Sequence, residues 1–181
     1  LAQSAPPDTA SAAALAEEND DVINIYTDDW SSKPSGGSRD SWSYDETGKT
    51  LTLKTGTFRL HHYSYSSSNN YSKLNVKIEP GATLQEARIG SEYHNGYTVT
   101  NAGTISGGTF YGKVTCEAGA VISGGTFKGN AIVNAAGGKV TIEGGTFEEG
   151  SYTSGVTVKA AGTLTINGGT FKGKRTCSVD I

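Results

Sequence analysis

Methionine is absent from this 181-residue chain, proline occurs four times, and cysteine and tryptophan twice each. No run of apolar residues approaches the roughly 18 needed to cross a bilayer, so no membrane span is expected. Fifteen Lys and Arg against eighteen Asp and Glu leave a net charge of -3, mixed along the chain. No basic field is available to attract a phosphate backbone, and nucleic acid is not an expected partner. With Leu1 as its first residue and no methionine, the chain is expected to derive from something longer. An Ala/Ser-rich start followed by Glu17 to Asp21 suits the mature end left by signal-peptide removal, which points to export; an arbitrary boundary serves as well. Residues 1–21 lack the apolar density to order themselves and read as a disordered acidic, Ala-rich tail.

Glycine, by contrast, is abundant: 25 residues, which with little proline indicates many tight turns between short strands. A 35% hydrophobic content rich in Gly, Thr and Ser allows one domain with a substantial core that is not helical. Its organising motif is Ile-x-Gly-Gly-Thr-Phe, found at Ile105–Phe110, Ile122–Phe127, Ile142–Phe147 and Ile166–Phe171, with a looser copy at Leu53–Phe58. Recurrence at intervals of about twenty residues is the signature of a solenoid.

One turn can be read from Val156 to Lys174. Val156 and Val158 alternate with Thr157 before Ala161-Gly162; Leu164 and Ile166 alternate with Thr165 before Gly168-Gly169; Thr170-Phe171 precedes Gly173. A period of two puts the apolar residues on one face and the threonines on the other. Three strands and three turns in so short a stretch form one coil of a parallel β-helix. The units at Tyr97–Gly112, Val114–Gly129 and Ala131–Phe147 repeat it, and Gly48–Leu53 and Gly81–Leu84 read as degraded copies. The expectation is an all-β, single-stranded right-handed parallel β-helix over 46–181, of about six coils plus a partial one. Coils about 4.8 Å apart would align Phe58, Ile89, Phe110, Phe127, Phe147 and Phe171 as an interior column.

Cys116 and Cys177 each lie six residues after a repeat phenylalanine, the slot of Val133 in the intervening coil, and are expected to be buried. Three coils apart, at about 14 Å, they are too distant for a disulfide, so two free thiols are expected. Residues 22–45, with Val22, Ile23, Ile25, Tyr26, Trp30 and Trp42, are expected to form an N-terminal cap and apolar plug. The chain stops inside a repeat at Arg175 to Ile181, so this end should continue in the parent protein or be covered by another molecule, and end-to-end self-association is anticipated.

The Ile-x-Gly-Gly-Thr-Phe repeat resembles the glycine-rich repeats of large secreted or cell-surface proteins of Gram-positive bacteria, and the coil pattern resembles the pectin-lyase-like β-helix. The resemblance covers about residues 42–181. It implies an extracellular or cell-surface location and leaves activity open, because that fold hosts lyases, hydrolases, adhesins and passive stalks.

Chemistry is sought where the coils differ, after the repeat phenylalanine. That corner expands at Arg59–Lys73, Gly90–Gly96 and Glu148–Gly155. Insertions at one point of successive coils should stack on one edge, gathering His61, His62, Tyr63, Tyr65, Asn69, Asn70, Tyr71, Tyr93, His94, Asn95 and Tyr97, with Tyr152 from a more distant coil. Aromatic rings beside amide, hydroxyl and imidazole groups suit a glycan: rings stack on the apolar faces of sugars while polar groups bond the hydroxyls. The bland alternative is a set of solvated loops whose tyrosines pack on the scaffold. His61, His62 and His94 could be read as a zinc site, but adjacent histidines rarely face one metal, and no metal or cofactor is expected.

The competing class is a polysaccharide-degrading enzyme. Lyases of the resembling fold use clustered acidic residues with calcium and an arginine base, and hydrolases use paired aspartates with Gly-His-Gly; neither set stands in this sequence. Glu117 and Glu143 could approach the spacing of about 5 to 10 Å that glycoside hydrolysis needs, if they lie on adjacent coils. A remote third reading is an ice-binding face made by the Thr109, Thr126, Thr146 and Thr170 column. The expectation is therefore a non-catalytic module that binds a polysaccharide or cell-surface glycan, or serves as an adhesive or structural stalk.

Overall fold

The computed structural model describes residues 21–28, 31–36, 40–64, 74–89, 98–128, 131–134, 138–149, 157–160, 162–173 and 178–180. Among them there is no helix; the chain is a β-solenoid of stacked parallel strands. It opens with β1 (Asp21–Asp28), β2 (Ser31–Ser35) and β3 (Trp42–Asp45), and coiling starts with β4 (Thr50–Leu53) and β5 (Gly56–Ser64). Complete coils follow as β6 (Asn75–Ile78), β7 (Ala82–Glu86) and β8 (Arg88–Ile89), then β9 (Thr98–Asn101), β10 (Thr104–Ile105) and β11 (Thr109–Phe110). Next come β12 (Lys113–Cys116), β13 (Val121–Ile122) and β14 (Thr126–Lys128), then β15 (Ala131–Asn134), β16 (Lys139–Ile142) and β17 (Thr146–Glu148). The series ends with β18 (Thr157–Ala160), β19 (Thr163–Ile166), β20 (Thr170–Lys172) and β21 (Ser178–Asp180).

Three sheets run along the axis. Sheet 1 is β3-β4-β6-β9-β12-β15-β18-β21, sheet 2 is β2-β1-β5-β7-β10-β13-β16-β19, and sheet 3 is β8-β11-β14-β17-β20. All pairs are parallel except β1 with β2 and β3 with β4. Counted from the first to the last strand of sheet 3, the solenoid makes about four turns, fewer than the six and a partial expected; β4 and β5 precede the first strand of that sheet and β21 follows the last.

The glycine corner explains the repeat. After β10, β13, β16 and β19 the chain turns on Gly-Gly into sheet 3. At Gly124 a Cβ would run into the Ser106 carbonyl oxygen of the coil before, and Gly125 adopts a φ of 97° that only glycine takes without strain. The turn delivers Phe127 into the core, where Phe110, Phe127 and Phe147 are fully buried and Ile89 nearly so. Phe58 does not belong to this column. It is buried, but in sheet 2, opposite Leu84 and in line with Ile105, Ile122 and Ile142. Likewise Gly48–Leu53 and Gly81–Leu84 are not equivalent: Thr50–Leu53 lies in sheet 1 and Ala82–Leu84 in sheet 2.

The interior of sheet 1 holds Leu51, Val76, Val99 and Val114 in one column and Leu53, Ile78, Asn101 and Cys116 in the next. Cys116 is buried with a free thiol. Its ladder partner in the next coil is Asn134, not Val133, which pairs with Thr115. The corner at 128–130 is one residue longer than the one at 111–112, which shifts the count. Cys177 lies outside the described residues. Trp30 also lies outside the described residues; Trp42 is buried, and its indole N–H donates to the Gly36 carbonyl at 3.1 Å.

Candidate functional site

The three long insertions do not all leave the solenoid from the same sheet. Arg59 to Ser64 are not a corner loop: they continue β5, with Asn24 opposite His61, Ile25 opposite His62 and Tyr26 opposite Tyr63 in β1. The physical reason lies in the sequence. Where Ser106 is followed by Gly107-Gly108, Arg59 is followed by Leu60-His61, so no glycine turns the chain and Leu60 is buried as the strand runs on. A register shift between Phe58 and Arg59 sets Arg59 opposite Glu86, and its Nε donates to the Gln85 side-chain oxygen at 3.0 Å.

The other two insertions follow β8 and β17, both in sheet 3. What all three share is the place they rejoin, the start of a sheet 1 strand: β6, β9 and β18. β6 and β9 are neighbours, and β18 stands three strands from β9. Tyr65, Asn69, Asn70, Tyr71, Tyr93, His94, Asn95, Tyr97 and Tyr152 lie outside the described residues, as do the side chains of His62 and Tyr63; His61 is half-buried.

At the shared edge, Asn75 and Thr98 are ladder partners. The exposed Thr98 hydroxyl donates to the Asn75 side-chain oxygen at 2.6 Å, and the Asn75 amide donates to the Gly48 carbonyl at 3.3 Å. Tyr111, in the short corner between sheet 3 and sheet 1, is nearly buried. Arg88 and Lys128 sit 5.8 and 5.9 Å from its ring centroid, and Lys128 also pairs with Glu148 at 3.4 Å. The strand starts of sheet 1 therefore offer a bonded hydroxyl and amide, and the neighbouring short corner carries two cationic groups over the Tyr111 ring. Neither Asn75 nor Tyr111 was singled out by sequence reasoning, which followed the long insertions and passed over the short corner.

Other candidates separate. Glu117 follows β12 at the corner from sheet 1 to sheet 2, and Glu143 follows β16 at the corner from sheet 2 to sheet 3, so the fold does not pair them. Among the described residues no group of three His, Cys, Asp or Glu is placed to hold a metal ion. Thr109, Thr126, Thr146 and Thr170 do form one ladder column, with Arg88 opposite Thr109 at its start. Burial pushes the Cys116 thiol up to about 12, partly offset by its hydrogen bond with Asn101. Among the described residues no helix is long and apolar enough to cross a membrane. Compared with known proteins, the chain matches no family model, no curated protein and no solved structure.

Proposed function

We propose that this β-solenoid is a non-catalytic module that works outside the cell and binds carbohydrate at the edge where its long segments re-enter sheet 1. The hydrogen-bonded Asn75–Thr98 pair supports the reading most. It stands at two neighbouring strand starts, where the segment containing Tyr65, Asn69, Asn70 and Tyr71 and the segment containing Tyr93, His94, Asn95 and Tyr97 both end. Both segments are rich in rings for stacking and in amides for bonding hydroxyls, the groups a glycan site uses. The resemblance of the Gly-Gly-Thr-Phe repeat to Gram-positive surface proteins, and of the coil to the pectin-lyase-like β-helix, favours the extracellular setting.

A glycan-array screen of the chain beside a variant with Tyr63, Tyr65, Tyr93 and Tyr97 changed to Ala tests the reading. Selective binding that disappears in the folded variant is the expected result. An absence of binding by either protein would replace it with a purely adhesive or structural stalk.

A further inference from the structure

The segment that follows β8 departs just after Arg88-Ile89 and returns at Thr98, the first residue of β9. Positive charge stands at both of its feet. In the next coil the route from sheet 3 to sheet 1 is only Tyr111-Gly112, so Lys113 opens β12 directly after this short corner, as the ladder partner of Thr98. Asn75, Thr98 and Lys113 therefore follow one another at successive strand starts of sheet 1. Tyr111 is 8% exposed, and the Arg88 guanidinium carbon and the Lys128 Nζ approach its ring centroid to 5.8 and 5.9 Å.

These cations are not equally balanced. Lys128 pairs with Glu148 at 3.4 Å, as Lys77 does with Glu79 at 3.5 Å. Arg88 and Lys113 are exposed, and neither makes an ion pair among the described residues. Among those residues the Tyr111 hydroxyl likewise has no hydrogen-bond partner. Two unmatched positive charges thus flank a nearly buried ring, next to the bonded hydroxyl and amide of Thr98 and Asn75.

We propose that the corner around Tyr111 seats an anionic substituent, so that the glycan taken by this module is an acidic one, a sugar carrying a sulfate, phosphate or carboxylate group; this rests on the carbohydrate-binding reading. The Arg88 guanidinium, held over the Tyr111 ring, offers a planar set of donors that suits an oxyanion, and Lys113 adds a second charge. Thr98 and Asn75, one strand start away from Lys113, suit the hydroxyls of the same sugar. A neutral sugar would leave both cations without a counter-charge. A long polyanion is disfavoured, because Glu148 already neutralises Lys128 and the chain carries a net charge of -3. The site is therefore matched to one local anionic group.

An array carrying each glycan backbone in its unsubstituted, sulfated, phosphorylated and carboxylate-bearing forms, probed with the full chain, tests the proposal. Binding should be confined to acidic forms, and the form retained identifies the anion. Added salt should weaken it. Arg88→Gln and Lys113→Gln, both at exposed side chains, should each lower the affinity by about tenfold or more, while Lys77→Gln, on the outer face of sheet 1, should leave it unchanged. Equal binding of unsubstituted and acidic forms would overturn the proposal and leave the carbohydrate-binding reading standing. Acidic-form binding indifferent to both Arg88→Gln and Lys113→Gln would do the same. No binding to any form would overturn both.

Discussion

Phe127 and Phe147 lie face to face in neighbouring coils, their ring centroids 4.9 Å apart and their planes within 8° of parallel. Phe110 lies against the opposite face of Phe127 at the same 4.9 Å. The ring step equals the coil step of about 4.8 Å, so the backbone ladder sets the stack and each ring fills the height of one coil. Phe127→Ala should therefore open a cavity bounded by two rings that the ladder holds apart, at a cost of about 3 to 5 kcal/mol. Phe171→Ala, at the partly open end of the same stack, should cost distinctly less. Urea unfolding of the two variants checks the order, and a nearly neutral Phe127→Ala would contradict the inward column.

The glycine turns make two different demands that substitution can separate, one at Gly119 between sheets 1 and 2 and one at Gly124 in the Gly-Gly corner. Gly119 has a φ of 89° with open space around its would-be Cβ, so Gly119→Ala should incur only the backbone strain, about 1 to 2 kcal/mol. At Gly124 a Cβ would meet the Ser106 carbonyl oxygen, a backbone atom that cannot move without separating two coils. Gly124→Ala should thus be the more damaging change, read as a lower urea midpoint. Equal midpoints would show that coil contact at this corner is slack.

Much of the fold was legible because the motif has a fixed internal length. From Ile105 to Phe110 the spacing never changes between copies, so the column of Phe110, Phe127, Phe147 and Phe171 could be read directly. Phe58 misled for a physical reason: Thr-Gly-Thr-Phe imitates the motif, but a single glycine does not make the double-glycine corner, and the residue stays in sheet 2. The Cys116 register failed by one residue because it was counted across a corner of variable length. For the candidate site, composition revealed the aromatic segments. It could not reveal that β1 is the partner of His61 to Tyr63, since pairing between distant strands leaves no spacing signal.

Asn101 is the fully buried polar residue among the described side chains, and its bonds explain its tolerance in an apolar column. Its side-chain oxygen accepts from the Gly103 N–H at 3.1 Å and its amide donates to the Val121 carbonyl at 3.3 Å. The residue thus ties the end of β9 to the turn that follows and to the next coil. Asn101→Ala should leave the Gly103 N–H without this partner and cost about 1 to 3 kcal/mol. Hydrogen exchange should show the Gly103 amide deprotected first; unchanged protection there would mean that Asn101 does not hold the corner.

Cys116 is the ladder partner of Asn101 and carries the clearest pH dependence of the described residues. Burial raises its thiol from 9.0 to about 12, partly countered by the hydrogen bond with Asn101. The unfolded chain releases this proton near its ordinary value while the folded chain retains it. Between those two values the unfolded state binds fewer protons, so stability falls as pH rises, by up to about 1.4 kcal/mol per pH unit. Below pH 9 the thiol should contribute no pH dependence. Cys116→Ala should flatten the alkaline limb of the stability profile while lowering its plateau, because it removes buried volume. In the native protein the thiol should resist alkylation at pH 8 and react once urea unfolds the chain. Rapid native-state labelling at Cys116, mapped by mass spectrometry, would show that the interior of sheet 1 opens to solvent.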